Sequence, residues 1–79
     1  MDNLLNAKKE KYYKIKGISE YAPIKIKRRI LELGFTRGQS VKVARKSLLA
    51  KSYLVEIRGF TLTIRRDIAS FIEIGWEYD

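Results

Sequence analysis

Tyr53-Leu54-Val55-Glu56-Ile57-Arg58-Gly59-Phe60-Thr61-Leu62-Thr63-Ile64-Arg65 is the stretch that decides the fold class. Tyr53, Val55 and Ile57 alternate with Leu54, Glu56 and Arg58. Beyond Gly59, Phe60, Leu62 and Ile64 alternate with Thr61, Thr63 and Arg65. A period of two puts each apolar set on one face of a strand. Arg58-Gly59 between the runs is short enough for a tight hairpin, although Arg-Gly is a weaker turn signal than Asn-Gly. The pattern extends upstream, where Gly38 marks a turn and Val41 and Val43 alternate with Lys42 and Ala44. Further back, Tyr12-Tyr13-Lys14-Ile15-Lys16 is a short β-favouring run that Gly17 is expected to stop. Downstream, Arg66 to Ser70 reads as a brief helical link, and Ile72, Ile74 and Trp76 as a last strand.

One segment breaks the alternation. From Pro23 to Leu33 the residues Ile26, Ile30 and Leu33 recur at helical spacing, with Leu31 widening the stripe. Lys25, Arg28, Arg29 and Glu32 take the other side. Pro23 suits the first turn, where its missing N–H costs nothing. Gly34 sits where a left-handed residue ends a helix, and Phe35 is then placed to pack back on Ile30 in a Schellman-type stop.

The order is thus β–α–β–β–β, a short helical turn, then β. Five short strands with one-sided apolar faces leave open edges and an open face in a flat sheet. Closure into a small SH3-like barrel removes both problems, so a mostly β, SH3-like fold is expected. The 79 residues suffice for one domain, residues 1–79. Residues 1–10 read as a poorly ordered polar lead-in with Leu4 and Leu5 as its anchors. Leu31, Leu33, Val43, Ile57, Leu62 and Ile64 are assigned to the core, and Gly34, Gly38 and Gly59 to turns.

Composition then excludes most chemistry. The chain contains neither His nor Cys, so the usual general base, the thiol nucleophile and the disulfide scaffold are all missing. Its carboxylates form no evident pair, and its glycines stand singly and make no phosphate loop. No catalytic residue, cofactor or metal ligand is assigned. Glu56, Asp67 and Glu73 are scattered among bases, as solvated surface charges would be. Met1 to Glu10 lacks an apolar h-region, and no apolar run approaches the ~20 residues that span a bilayer.

What remains is charge. The net charge is +8, and residues 37–51 hold five bases with no acid. Such a surface suits nucleic acid, anionic lipid or an acidic protein face, or serves only to keep the chain soluble. Lys25, Arg28, Arg29, Arg37, Lys42, Arg45 and Lys46 are the candidate contact bases. Tyr12, Tyr13 and Tyr53 lie near lysines, as in single-strand-binding barrels, but Tyr53 and one of Tyr12 and Tyr13 are expected on the core face. Leu48 and Leu49 either contact a partner or fold over the barrel end. Arg65 either ties down the turn that follows it or faces a partner, with the structural role favoured.

Taken together, Arg28-Arg29-Ile30-Leu31-Glu32-Leu33-Gly34-Phe35-Thr36-Arg37-Gly38 resembles the RRLLELGLxxG segment of the FeoA family. Val55 to Arg65 is similar to that family's V-x-V-x-G-x-x-L-x-L-R hairpin, and Arg65, Ala69, Ile72 and Ile74 to its ending. The likeness covers roughly residues 4–74. Two loops depart from the pattern: Ser47 to Lys51 has Leu48-Leu49 in place of a Pro-Gly-Asp-Pro-like turn, and Lys8 to Lys11 replaces a glycine before the first strand. The resemblance implies an SH3-like, cytosolic accessory of ferrous iron uptake that binds a FeoB-type transporter at the inner face of the membrane. It also implies a family described as binding transition metals, with a similar domain ending iron-dependent repressors. A nucleic-acid-binding barrel and a detached repressor domain are the alternatives.

Overall fold

The computed structural model describes residues 2–78, and the side chains of residues 2–75; the side chain of Trp76, read as part of the last strand, lies outside the described residues. Five strands are present: β1 (Tyr12–Ile18), β2 (Ser40–Ser47), β3 (Ser52–Ile57), β4 (Phe60–Arg65) and β5 (Ile72–Tyr78). Helix α1 (Ile24–Glu32) lies between β1 and β2, and the single turn α2 (Arg66–Ala69) between β4 and β5. All pairings are antiparallel, in the order β4-β3-β2-β1-β5. The fold is mostly β and SH3-like, as expected. The sheet is not closed, however; β4 and β5 are its edges.

Turn chemistry fixes the register. Ile57 faces Phe60 across Arg58 and Gly59, whose φ values of 55° and 80° are those of a type I′ turn. At the end of α1, Leu33 is the C-cap and Gly34 has φ 98°. The Gly34 N–H donates to the Leu31 carbonyl (3.0 Å) and the Phe35 N–H to the Ile30 carbonyl (3.2 Å). These are the two bonds of a Schellman motif. Phe35 and Ile30 are both fully buried, so the helix stop also seats a core aromatic.

Two irregularities escape the period-two reading. Gly17 does not stop β1, which continues to Ile18 through register shifts against β5. In β2, Val43 pairs with Val55 but Arg45 pairs with Leu54, so Ala44 is an extra residue in a bulge. Beyond the bulge the alternation reverses. Lys46 falls opposite buried Tyr53, on the core face.

The core draws Tyr13, Ile15, Val41, Val43, Tyr53, Val55, Ile57, Ile64, Ile72 and Ile74 from one face of the sheet. Ile30, Phe35, Ile68 and Ala69 cover it. Leu33 and Leu62 pack only partly, and Leu31 is a correction: it is 49% exposed, on the side of α1 away from the core. Phe60, expected among the apolar set of its strand, is 70% exposed at the turn end of the edge strand β4, although its partner Ile57 is buried.

The lead-in ahead of β1 packs onto the sheet through its own short turn. Leu4–Asn6 forms a 3-10 turn closed by a capping box, in which the Leu5 N–H donates to Asn3 Oδ1 and the Asn3 N–H to Asn6 Oδ1. Leu4 and Ala7 are buried. The Ile74 N–H donates to the Asp2 carbonyl (2.9 Å) and Asn3 bridges to Glu73, so this segment covers the outer edge of β5.

Candidate partner-binding surfaces

The tip between β2 and β3 is built to hold side chains outward. Ser47 pairs with Ser52, the Ala50 N–H donates to Ser47 Oγ (3.1 Å), and Lys51 takes φ 52°. These local bonds satisfy the turn without help from its apolar residues. Leu48 and Leu49 are therefore free of the fold, at 81% and 99% exposed. The reading in which they fold over the barrel end is corrected.

Shallow grooves adjoin the tip. Ala50 lines one of about 280 Å³ together with Arg45, Ser47, Leu54 and Thr63. Lys51 lines another of about 380 Å³, with Leu5, Arg65, Arg66, Asp67 and Ser70. In the second groove the Arg66 N–H holds the Lys51 carbonyl (2.8 Å), tying the tip to α2. Arg65 pairs with Asp67 at the start of α2, the structural role favoured for it from sequence.

The seven candidate bases do not make one site. Lys25, Arg28 and Arg29 are exposed on α1. Arg37 is exposed but donates through Nε to the Lys16 carbonyl (2.8 Å). Lys42 lies on the outer face of the sheet, 3.3 Å from Glu56, 3.7 Å from Glu10 and over the Tyr12 ring at 5.2 Å. The hydrogen bond to Glu56 raises its pKa above the ordinary lysine value; desolvation opposes this, and the charges of Glu10 and Glu56 add to it. The bulge sends Lys46 to the opposite face, where Nζ donates to the Leu5 carbonyl (3.3 Å) and stands over the Tyr53 ring at 5.3 Å. Arg45 remains outward. Lys42 and Lys46 are thus engaged within the fold, and Arg45 and the α1 bases face solvent.

Two exposed apolar side chains lie outside the patterns read from the sequence, Tyr21 at 82% and Ile24 at 60%. Ile24 was legible: it precedes Leu31 by seven residues, two helical turns, and so shares its side of α1.

Tyr13 and Tyr53 are buried, as read from sequence, and only Tyr12 of the three is open to stacking. For a transition metal the donor set does not fit. The chain has no imidazole or thiolate, and no group of three or more carboxylates gathers among the described residues. No helix among them is long and apolar enough to cross a membrane.

The FeoA domain profile matches residues 3–75. No curated protein sequence matches the chain. Among solved structures it is similar to the FeoA protein of Chlorobium tepidum, with 29% identity and TM-score 0.78 over 92% of this chain and 68% of that one. It is also similar to the zinc-complexed FeoA of Stenotrophomonas maltophilia, described as an SH3 domain protein, with 21% identity and TM-score 0.80 over 95% and 91%. ScaR with bound Cd2+ shares the fold at 16% identity and TM-score 0.80, over 94% of this chain but 35% of that one.

Proposed function

Since the chain belongs to the FeoA family, we propose that it is a non-enzymatic accessory of ferrous iron uptake, docking on a FeoB-type transporter at the cytoplasmic face of the membrane. The Stenotrophomonas relative is described as a candidate activating factor of bacterial ferrous iron transport, which supports this reading. Iron is the transporter's cargo here and not a resident group of this chain. The observation that carries the docking reading is the Leu48-Leu49 tip, two leucines held in solvent by a turn that does not need them. Full burial of a leucine is worth about 1.5–3 kcal/mol, so the pair supplies a large share of what is needed to offset the roughly 4–15 kcal/mol lost on association, and further contacts supply the rest. The outward bases Lys25, Arg28, Arg29 and Arg45 then steer the encounter with an acidic face.

The test is interferometry of the purified chain against the cytosolic domain of the transporter. Replacing both leucines, L48S/L49S, is expected to raise the dissociation rate at least about tenfold. Reversing charge in R28E/R29E is expected to slow association and flatten its salt dependence, leaving dissociation nearly unchanged. A wild-type chain that ignores the transporter domain, or that instead binds short single-stranded oligonucleotides tightly at physiological salt, overturns the proposal.

A further inference from the structure

Helix α1 carries two apolar stripes where a surface helix of a small domain needs one. Ile26, Ile30 and Leu33 turn toward the core. Ile24 and Leu31 lie on the far side, 60% and 49% exposed, with Arg28 between them one turn from each. Tyr21, 82% exposed, stands in the turn that leads into the helix. That turn is fixed by the Tyr21 N–H on Ser19 Oγ (3.2 Å) and the Ala22 N–H on the Ser19 carbonyl (3.0 Å).

The charges around the second stripe are mostly positive, with Glu20 beside Tyr21 and Glu32 in the last turn of the helix as the acids. Within α1, Lys25, Lys27, Arg28 and Arg29 face a single acid, Glu32. At the C-terminal end the Arg58 side chain lies beside Gly34, adding a fifth base.

We propose that this face of α1 rests directly on an anionic phospholipid surface, with Tyr21, Ile24 and Leu31 entering the headgroup boundary and the flanking bases meeting the lipid phosphates. This goes beyond the transporter reading and does not depend on it. Lipid is favoured over a protein partner by the composition of the face. Charged residues are depleted at the centres of protein interfaces, whereas here three apolar side chains stand among five bases and two acids, Glu20 and Glu32, a mixed face with a positive balance. A bilayer accepts that mixture, because long basic side chains reach to the phosphates while their stems and apolar neighbours bury. No helix among the described residues is long enough to span, so the helix lies in the interface plane. Neither the short apolar stripe nor the charge holds the chain alone. Binding requires both signals and is weak and reversible.

The test is co-sedimentation of the full chain with vesicles of phosphatidylcholine alone and with added phosphatidylglycerol. Binding is expected only with the anionic lipid and is released by high salt. I24S/L31S removes exposed side chains and should leave the melting temperature unchanged while lowering vesicle affinity about tenfold. K25E/R28E should abolish it. Undiminished binding of I24S/L31S, equal binding to neutral vesicles, or no binding to either overturns the proposal. A wild-type dimer that I24S/L31S converts to monomer also overturns it, by assigning the face to a second copy. Because the vesicles hold no protein, these results are separate from those on the transporter domain.

Discussion

Gly34→Val tests the device that ends α1 and seats Phe35. Gly34 has φ 98°, a region that side chains with a Cβ rarely adopt. Space is not the obstacle: an added Cβ meets Arg58 at 3.5 Å, an ordinary contact. The cost is therefore in the backbone. A non-glycine residue held there costs about 1–3 kcal/mol, with β-branched Val at the upper end. Escape to negative φ costs a comparable amount. It breaks the bonds from Gly34 to Leu31 and from Phe35 to Ile30, each worth about 0.5–1.5 kcal/mol, and unseats a buried aromatic. A counter-effect exists, since losing glycine restricts the unfolded chain and stabilises by about 0.4–1 kcal/mol, but it is the smaller term. At roughly 4–8 °C per kcal/mol for a domain of this size, thermal unfolding should show G34V lowered by roughly 5–20 °C. The order of melting temperatures should run Gly, Asn, Ala, Val, because Asn tolerates left-handed backbone. A G34V chain melting within about 2 °C of wild type, or an Asn variant no better than Ala, would refute the argument.

Further outcomes follow from the same structure. Leu4→Ala should cost about 2–5 kcal/mol in urea unfolding because Leu4 is fully buried, while L48S/L49S should stay within about 0.5 kcal/mol per site. An unstable tip variant or a tolerant Leu4 would contradict the burial pattern. Lys42 holds its proton more tightly folded than unfolded, so its contribution is complete below the ordinary value of 10.5 and is lost as pH rises through the higher folded value. The stability difference between wild type and Lys42→Gln should accordingly be flat across neutral pH and shrink above that point; a difference that grows there would reverse the sign assigned. Anaerobic calorimetry with ferrous iron should give no one-to-one binding at micromolar affinity, since nitrogen and sulfur ligands are lacking.

Much of the fold was legible because turns and alternation agree. Arg58-Gly59 closes the expected hairpin, with Arg58 itself accepting φ 55°. The helix stop at Gly34-Phe35 could be read from three residues. What stayed hidden depends on contacts that a one-dimensional period does not carry. Leu31 fits the core stripe by spacing, yet the arc that α1 buries is too narrow to include it. Phe60 alternates correctly but sits at the turn end of an edge strand, where its partner Ile57 is buried and it is not. The lead-in looks polar because its packing rests on Leu4 and Ala7, while the rest is held by its capping box and by hydrogen bonds to β5, β2 and Tyr13. Of the surface residues, exposure at Leu48-Leu49 was one of two open readings, and the separation of Lys42 from Lys46 was invisible without the bulge.

That bulge leaves β2 with one more residue than β3 has places for. Deleting a residue from a strand normally turns everything beyond it inside out. At Ala44 the opposite holds. Closing the gap leaves Val43 opposite Val55, Arg45 opposite Leu54 and Lys46 opposite Tyr53, with the two faces continuous in ordinary alternation. The strand thus has slack at a single point, where the chain can change length without changing which side chains point inward. A shortened chain lacking Ala44 should keep its core and lose only the local bend of β2.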